Sequence, residues 1–154
     1  MAIVRGAGTE IIRSAQFKDC GADENTRLIL GVQHHIYTVL SILCFADSMQ
    51  TQGNQVQIKL TGWDADNAAS ATEMKIIAAP LNDLQTFVFN DKFSFNGYEP
   101  TGVSSQLSTA VEQDAIADQG GSVSQYLWAD SSNNSDSINI FITYIDQNNS
   151  QEKP

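Results

Sequence analysis

Two stretches decide the fold: Ile36-Tyr37-Thr38-Val39-Leu40-Ser41-Ile42-Leu43-Cys44-Phe45, and the last apolar run, Ser137-Ile138-Asn139-Ile140-Phe141-Ile142-Thr143-Tyr144-Ile145. Both are rich in β-branched and aromatic residues, which suit a pleated, packed surface. Neither shows the 3.6-residue spacing of an amphipathic helix. They predict core strands of a β-sandwich whose last strand ends the folded domain.

Working outward, Gln55 to Thr61 alternates cleanly. Val56, Ile58 and Leu60 share one parity, Gln57 and Lys59 the other, so the first three should be buried and the last two exposed. Further strands are expected over Arg27 to Val32, His34 to Phe45, and Glu73 to Ala79. Pro80 should stop the last of these because it lacks an N–H for the ladder. Leu84 to Phe89 and Lys92 to Phe95 read as a hairpin joined at Asn90-Asp91, and Asn96-Gly97 as a turn with positive φ. Residues 99–121 read as an insertion with a short helix: Leu107 and Val111 lie at helical spacing, Ser104 or Ser105 can cap, and Gly120-Gly121 ends the run. Val123 to Ala129 and Ile138 to Ile145 close the sandwich. The expected class is all-β: an antiparallel β-sandwich, jelly-roll or Ig-like, of about eight or nine strands with one short helical insertion.

The bulk numbers fit one folded domain. Apolar residues make up 42 % of the 154 residues and charged residues 17 %, too apolar for disorder. The net charge is −10. Residues 1–27 are balanced: Arg5, Arg13, Lys18 and Arg27 offset Glu10, Asp19, Asp23 and Glu24. The excess therefore lies in the body. Such a body repels phosphate backbones and anionic lipid heads, which argues against nucleic-acid and membrane partners. The start lacks an apolar signal region, and two cysteines, Cys20 and Cys44, read as thiols of a cytoplasm-made protein without a disulfide. Cys44 falls in an apolar strand and Cys20 in a turn-rich loop.

No reactive constellation stands out. His34-His35 would point to opposite faces of a strand and cannot chelate one ion; one of them should be buried and hydrogen-bonded. Asp64-Ala65-Asp66-Asn67 offers calcium-type oxygens without the register of a calcium loop, and Asp130 to Asp136 reads as a solvated turn. No Gly-x-Ser-x-Gly elbow is present, and Gly6-Ala7-Gly8 lacks the rest of a phosphate loop. No catalytic residue, metal ligand or cofactor is assigned. Trp63, Trp128, Tyr98 and Tyr126 could form a sugar-stacking platform, or could simply pack. A carbohydrate- or receptor-binding module and a small β-sandwich enzyme stay open as alternatives.

His35-Ile36-Tyr37-Thr38-Val39-Leu40-Ser41-Ile42, then Ala79-Pro80-Leu81, Thr86-Phe87-Val88-Phe89, Lys92-Phe93-Ser94-Phe95, Leu127-Trp128-Ala129-Asp130 and the final strand resemble a family of small β-sandwich virion proteins of tailed bacteriophages, particularly cyanophages. The resemblance covers about residues 26–147 and rests on strand order. It implies a non-enzymatic virion structural protein, a capsid decoration or cement protein, or else a neck, tail or baseplate accessory. The implied partners are the major capsid protein or another virion protein, and the implied location is the virion. Residues 1–25 are expected to form an extended N-terminal arm, 26–147 the sandwich and 148–154 a polar tail. The arm's Ile3, Val4, Arg5, Ile11, Ile12, Arg13 and Phe17 are the expected interface of a homo-oligomer, a trimer favoured, unless the arm forms an outer strand of its own sandwich.

Overall fold

The two deciding runs lie side by side. In the computed structural model, β3 (His35–Ser48) pairs antiparallel with β11 (Ser137–Asn148) from Ser48 opposite Ser137 to His35 opposite Asn148. The structure describes residues 9–20, 26–64, 69–100, 109–111, 122–131 and 135–149. The remaining strands are β1 (Thr9–Cys20), β2 (Thr26–Leu30), β4 (Asn54–Asp64), β5 (Ala69–Leu81), β6 (Thr86–Phe89), β7 (Phe93–Asn96), β8 (Tyr98–Pro100), β9 (Ser122–Ser124) and β10 (Tyr126–Ser131).

Two antiparallel sheets form the sandwich. The first has the order β1-β11-β3-β6, with β7 also on β3; the second has the order β2-β10-β4-β5; β8 and β9 form a separate small ladder. The chain crosses between the layers repeatedly, staying within one only for β4–β5 and β6–β7, and the late strands β10 and β11 insert between early ones in each sheet. That order is a jelly roll rather than an Ig-like sandwich.

The layers meet over a dry aliphatic core. Val39, Ile42, Cys44, Ile140 and Ile142 come from the first sheet, and Val56, Ile58, Leu127 and Ala129 from the second, with at most 1 % exposed. Each large side chain so buried contributes about 1.5–3 kcal/mol relative to exposure. The strict alternation of β4 is realised at Val56 and Ile58, and Leu60 packs partly buried against the same core.

Several expectations are corrected by tertiary pairing. Residues 84–95 are not a hairpin. β6 pairs with Ile42 to Phe45 and β7 with Ile36 to Val39, both antiparallel to β3. They are successive pieces of one interrupted strand, so Phe87, Phe89, Phe93 and Phe95 all turn to the core side. β5 continues through Pro80, which lies opposite Gln55. β5 is the sheet's edge, where a missing N–H breaks no ladder bond. The expected strand at Arg27 to Val32 ends at Leu30, and His34 sits in the following turn with φ of 65°.

Gly97 is not a positive-φ residue; among the described glycines only Gly53 is, at 86°. Gly97 instead marks a backbone crossing. Its N–H donates to the His35 carbonyl at 2.7 Å, and its carbonyl accepts the Gln125 N–H at 2.8 Å. The Gln125 carbonyl in turn accepts the Gly31 N–H at 2.8 Å.

Residues 9–20 are extended, but as β1 they pair with β11 of the same domain from Thr9 opposite Asn148 to Cys20 opposite Ile138. For these residues the outer-strand alternative is the one realised, because Ala15 and Phe17 pack on the domain's own core. The sandwich therefore begins before residue 26. Ile3, Val4 and Arg5 lie outside the described residues, as does the helix expected within 99–121 except at 109–111. The insertion is closed at its base by the β8–β9 ladder.

Candidate functional site

The residues flagged for chemistry are engaged in internal bonding. β1, β11 and β3 bring Arg13, Asp146 and His35 together across the inner side of the first sheet. Asp146 is 4 % exposed. Its Oδ1 lies 2.6 Å from His35 Nδ1, and its Oδ2 accepts from Arg13 Nε at 3.1 Å. An ionised carboxylate only accepts, so Nδ1 carries the proton. With both oxygens engaged, Asp146 serves as a clasp between three strands. No single-strand spacing could reveal this, since Arg13 and Asp146 are 133 residues apart. Among the described residues no three His, Cys, Asp or Glu side chains gather as a metal site. Residues 65–68 of the calcium-type loop lie outside the described set. Asp136 is not a solvated turn residue. It is 3 % exposed, accepts the Gln50 N–H at 2.7 Å and the Asn54 side-chain amide at 3.3 Å, and so locks the loop before β4 to the start of β11.

Trp128 and Tyr126 lie on the outer face of the second sheet, beside Lys59 and Thr61 of β4. The Trp128 indole donates to Thr61 Oγ1 at 2.8 Å, and Lys59 Nζ sits 4.5 Å from its ring centroid. The same ammonium is 3.5 Å from both Glu73 and Asp130. Lys59, expected exposed, is therefore 9 % exposed. Its stem lies along the indole while its charge is matched on both sides. Arg27 covers Tyr126 at 4.6 Å. These two rings are capped by cations and are not an open stacking platform. Tyr98 is half-buried in β8, and the Trp63 side chain lies outside the described residues.

Cys20 ends β1 and is buried, not in a loop, and neither thiol is in a disulfide. Burial pushes the Cys44 thiol up from 9.0 to about 12, with neighbouring Cys20 adding to it. Burial likewise raises Tyr37 from 10.0 to about 12, against the lowering effect of the Val32 N–H that its hydroxyl accepts. The folded state holds these protons more tightly than the unfolded chain. Their contribution is thus complete below about pH 9 and is lost as the pH climbs towards 12. The Cys44 displacement alone corresponds to on the order of 4 kcal/mol. Urea midpoints are expected to be flat up to about pH 9 and to fall steeply above it, with Cys44→Ala losing part of that slope; an unchanged midpoint at pH 11 would contradict the burial argument. A second expectation concerns access. A thiol reagent at pH 8 should modify neither cysteine in the native protein and both in urea, and stoichiometric native labelling would show the core open.

The surface left unsatisfied is the outer face of the first sheet. The two deciding runs are apolar at both parities, and the core takes only one of them. Leu43 and Phe45 of β3, Phe141 of β11 and Val88 of β6 share adjacent cross-strand positions on the solvent side. Leu43, Phe45 and Phe141, with Gln16, Thr86, Asn139 and Ile140, border an open groove of about 250 Å³. Phe141 is 37 % and Val88 54 % exposed. The signal in the sequence was the absence of alternation: a half-wet strand would carry polar residues where Leu43, Phe45 and Phe141 stand. Of the residues expected at an interface, Ile12 is 71 % exposed on this same face, Ile11 and Phe17 are half-buried, and Arg13 turns inward to Asp146.

No family model matches the chain, and no curated protein matches it in sequence. Solved structures show a partial likeness to the chain. A chain from Bacillus endospore appendages, described as disulfide-linked pili, is 8 % identical with a TM-score of 0.41, covering 97 % of both chains. One from infectious bursal disease virus Gx strain is 10 % identical with a TM-score of 0.48, covering 96 % of this chain and 34 % of that one. One from maize chlorotic mottle virus is 12 % identical with a TM-score of 0.26, covering 97 % and 90 %. The class defined by fold and surface is a jelly-roll β-sandwich with an apolar outer face on one sheet.

Proposed function

We propose that the protein is a non-enzymatic structural component of a virion, binding the assembled shell as a capsid decoration (cement) protein. The observation that carries this reading is the outward groove at Leu43, Phe45 and Phe141 on a rigid two-sheet frame. Jelly rolls host coat proteins, lectins and cupins alike, so the fold does not choose among them. The groove favours docking: a contiguous apolar face on a folded domain marks a contact surface. The strand-order resemblance to phage virion proteins points the same way, and the acidic body would keep decorated particles apart. The partners in this reading are the shell protein and further copies of the chain.

The test is mass spectrometry and electron cryo-microscopy of purified particles, followed by rebinding of recombinant protein to particles stripped of it. The protein should be present in many copies and give density on the shell. Phe141→Glu should rebind at least ten-fold more weakly while keeping the wild-type melting curve. Density on the tail would move the assignment to a neck, tail or baseplate accessory, and absence from particles would overturn the virion reading.

A further inference from the structure

The self-association in that reading has a candidate surface in β1. Among the described strands β1 pairs with β11 alone, leaving one side of a 12-residue strand unmatched. Natural edge strands are guarded by prolines, bulges, short length or charges. Between Ile11 and Phe17 this edge carries none of these on its outer face. Arg13, its one charge, is turned to Asp146. Irregularity begins only after Phe17, where the register to β11 shifts and Asp19 takes φ of 59°.

The outer face of β1 presents Glu10, Ile12, Ser14, Gln16 and Lys18 in order. This order is complementary to itself when reversed. We propose that β1 is a self-recognition edge: two copies pair antiparallel about a two-fold axis through Ser14, joining their first sheets into one. In that register Glu10 of each copy faces Lys18 of the other, Ile12 faces Gln16, and on the inner side Ile11 faces Phe17. A two-fold axis normal to the sheet keeps inner faces together only in registers that shift by whole residue pairs. Centring on Arg13 sets Arg13 against itself and leaves Lys18 unmatched. Centring on Ala15 sets Ile12 against Lys18 and leaves Glu10 unmatched. Charge thus selects the Ser14 register, while backbone bonds and the half-exposed apolar side chains supply most of the attraction. An isologous contact of this kind gives a closed dimer.

The proposal rests on the self-association part of the reading above and not on where in a particle the protein sits. Cross-linking and mass test it directly. Opposed residues of an antiparallel pair have Cβ atoms about 4.5–5.5 Å apart, within reach of a disulfide. Full-length Ser14→Cys, oxidised with glutathione disulfide, should form a covalent dimer at least ten-fold faster than Ile12→Cys, since the native cysteines are buried. By sedimentation at concentrations on the order of 100 μM, wild type should be dimeric. Glu10→Lys and Lys18→Glu should each weaken the dimer about ten-fold, and the double reversal should restore it. A wild-type monomer at that concentration overturns self-association. A wild-type dimer in which Ser14→Cys and Ile12→Cys cross-link alike, or in which the double reversal fails to rescue, overturns this register. Loss of particle binding with the dimer intact would instead count against the shell-docking reading.

Discussion

Ile58→Asp is expected to leave the protein unfolded at neutral pH. Ile58 is fully buried on the inner face of the second sheet, opposite Ala129 on one side and Ile77 on the other. Both of these neighbours are buried apolar residues, and the cluster around them is aliphatic. A carboxylate there finds neither water nor a donor. It either ionises at a cost of several kcal/mol or takes up a proton at a lesser but still large one. Lost apolar burial adds about 2 kcal/mol more. Against a total stability of about 5–15 kcal/mol, this is most or all of the margin. Ile58→Val, which removes one methylene, should cost only about 1 kcal/mol and serves as the control. Far-ultraviolet circular dichroism and urea titration of both variants read the difference. A folded Ile58→Asp with a near-native midpoint would show that β4 does not present Ile58 to the core.

Gly97→Ala should be nearly as damaging, by a different route. A Cβ on Gly97 would land on the Val32 carbonyl oxygen and close to the Val32 nitrogen and carbonyl carbon, all of them backbone. A Cβ on Gly31 would strike the Gly97 carbonyl from the other side. A clash with a side-chain tip relaxes by a rotamer change. Here the Val32 carbonyl is held by the His35 N–H at 3.1 Å and the Val32 N–H by the Tyr37 hydroxyl at 3.0 Å, while Gly97 is itself bonded to His35 and Gln125. Admitting the methyl means parting that crossing and losing some of its hydrogen bonds, a cost of about 3 kcal/mol or more. Gly53→Ala is the comparison. It has positive φ but nothing within 4 Å of a built Cβ, so it should cost about 1 kcal/mol from backbone conformation alone. Equal losses in the two variants, measured by urea denaturation, would refute the close-approach argument.

The reading of β4 shows what a linear pattern can carry. Alternation at Val56 and Ile58 is a statement about one strand and one buried face, and the fold obeys it. Lys59 shows where the same logic stops. Its parity is outward, as read, but the indole of Trp128 lies beside it, 69 residues downstream in sequence. Outward is therefore not the same as exposed. The Phe87-to-Phe95 region fails for a related reason. Two short strands with a polar break look alike whether they fold back on each other or run on along a third strand. Only the presence of β3 as a common neighbour separates the two.

What the sequence determined by itself was the all-β class, the two central strands, the face of β4 that is buried, and the surplus of apolar residues in β3 and β11. These follow from side-chain periodicity and composition, which are properties of a strand considered alone. The jelly-roll order, the Arg13–Asp146–His35 clasp, the glycine crossing at Gly31 and Gly97, and the docking of β1 on its own sheet were decided only by the tertiary structure. Each depends on which distant segments become neighbours, and that choice is made by the packing of two whole sheets against each other rather than by any local preference along the chain.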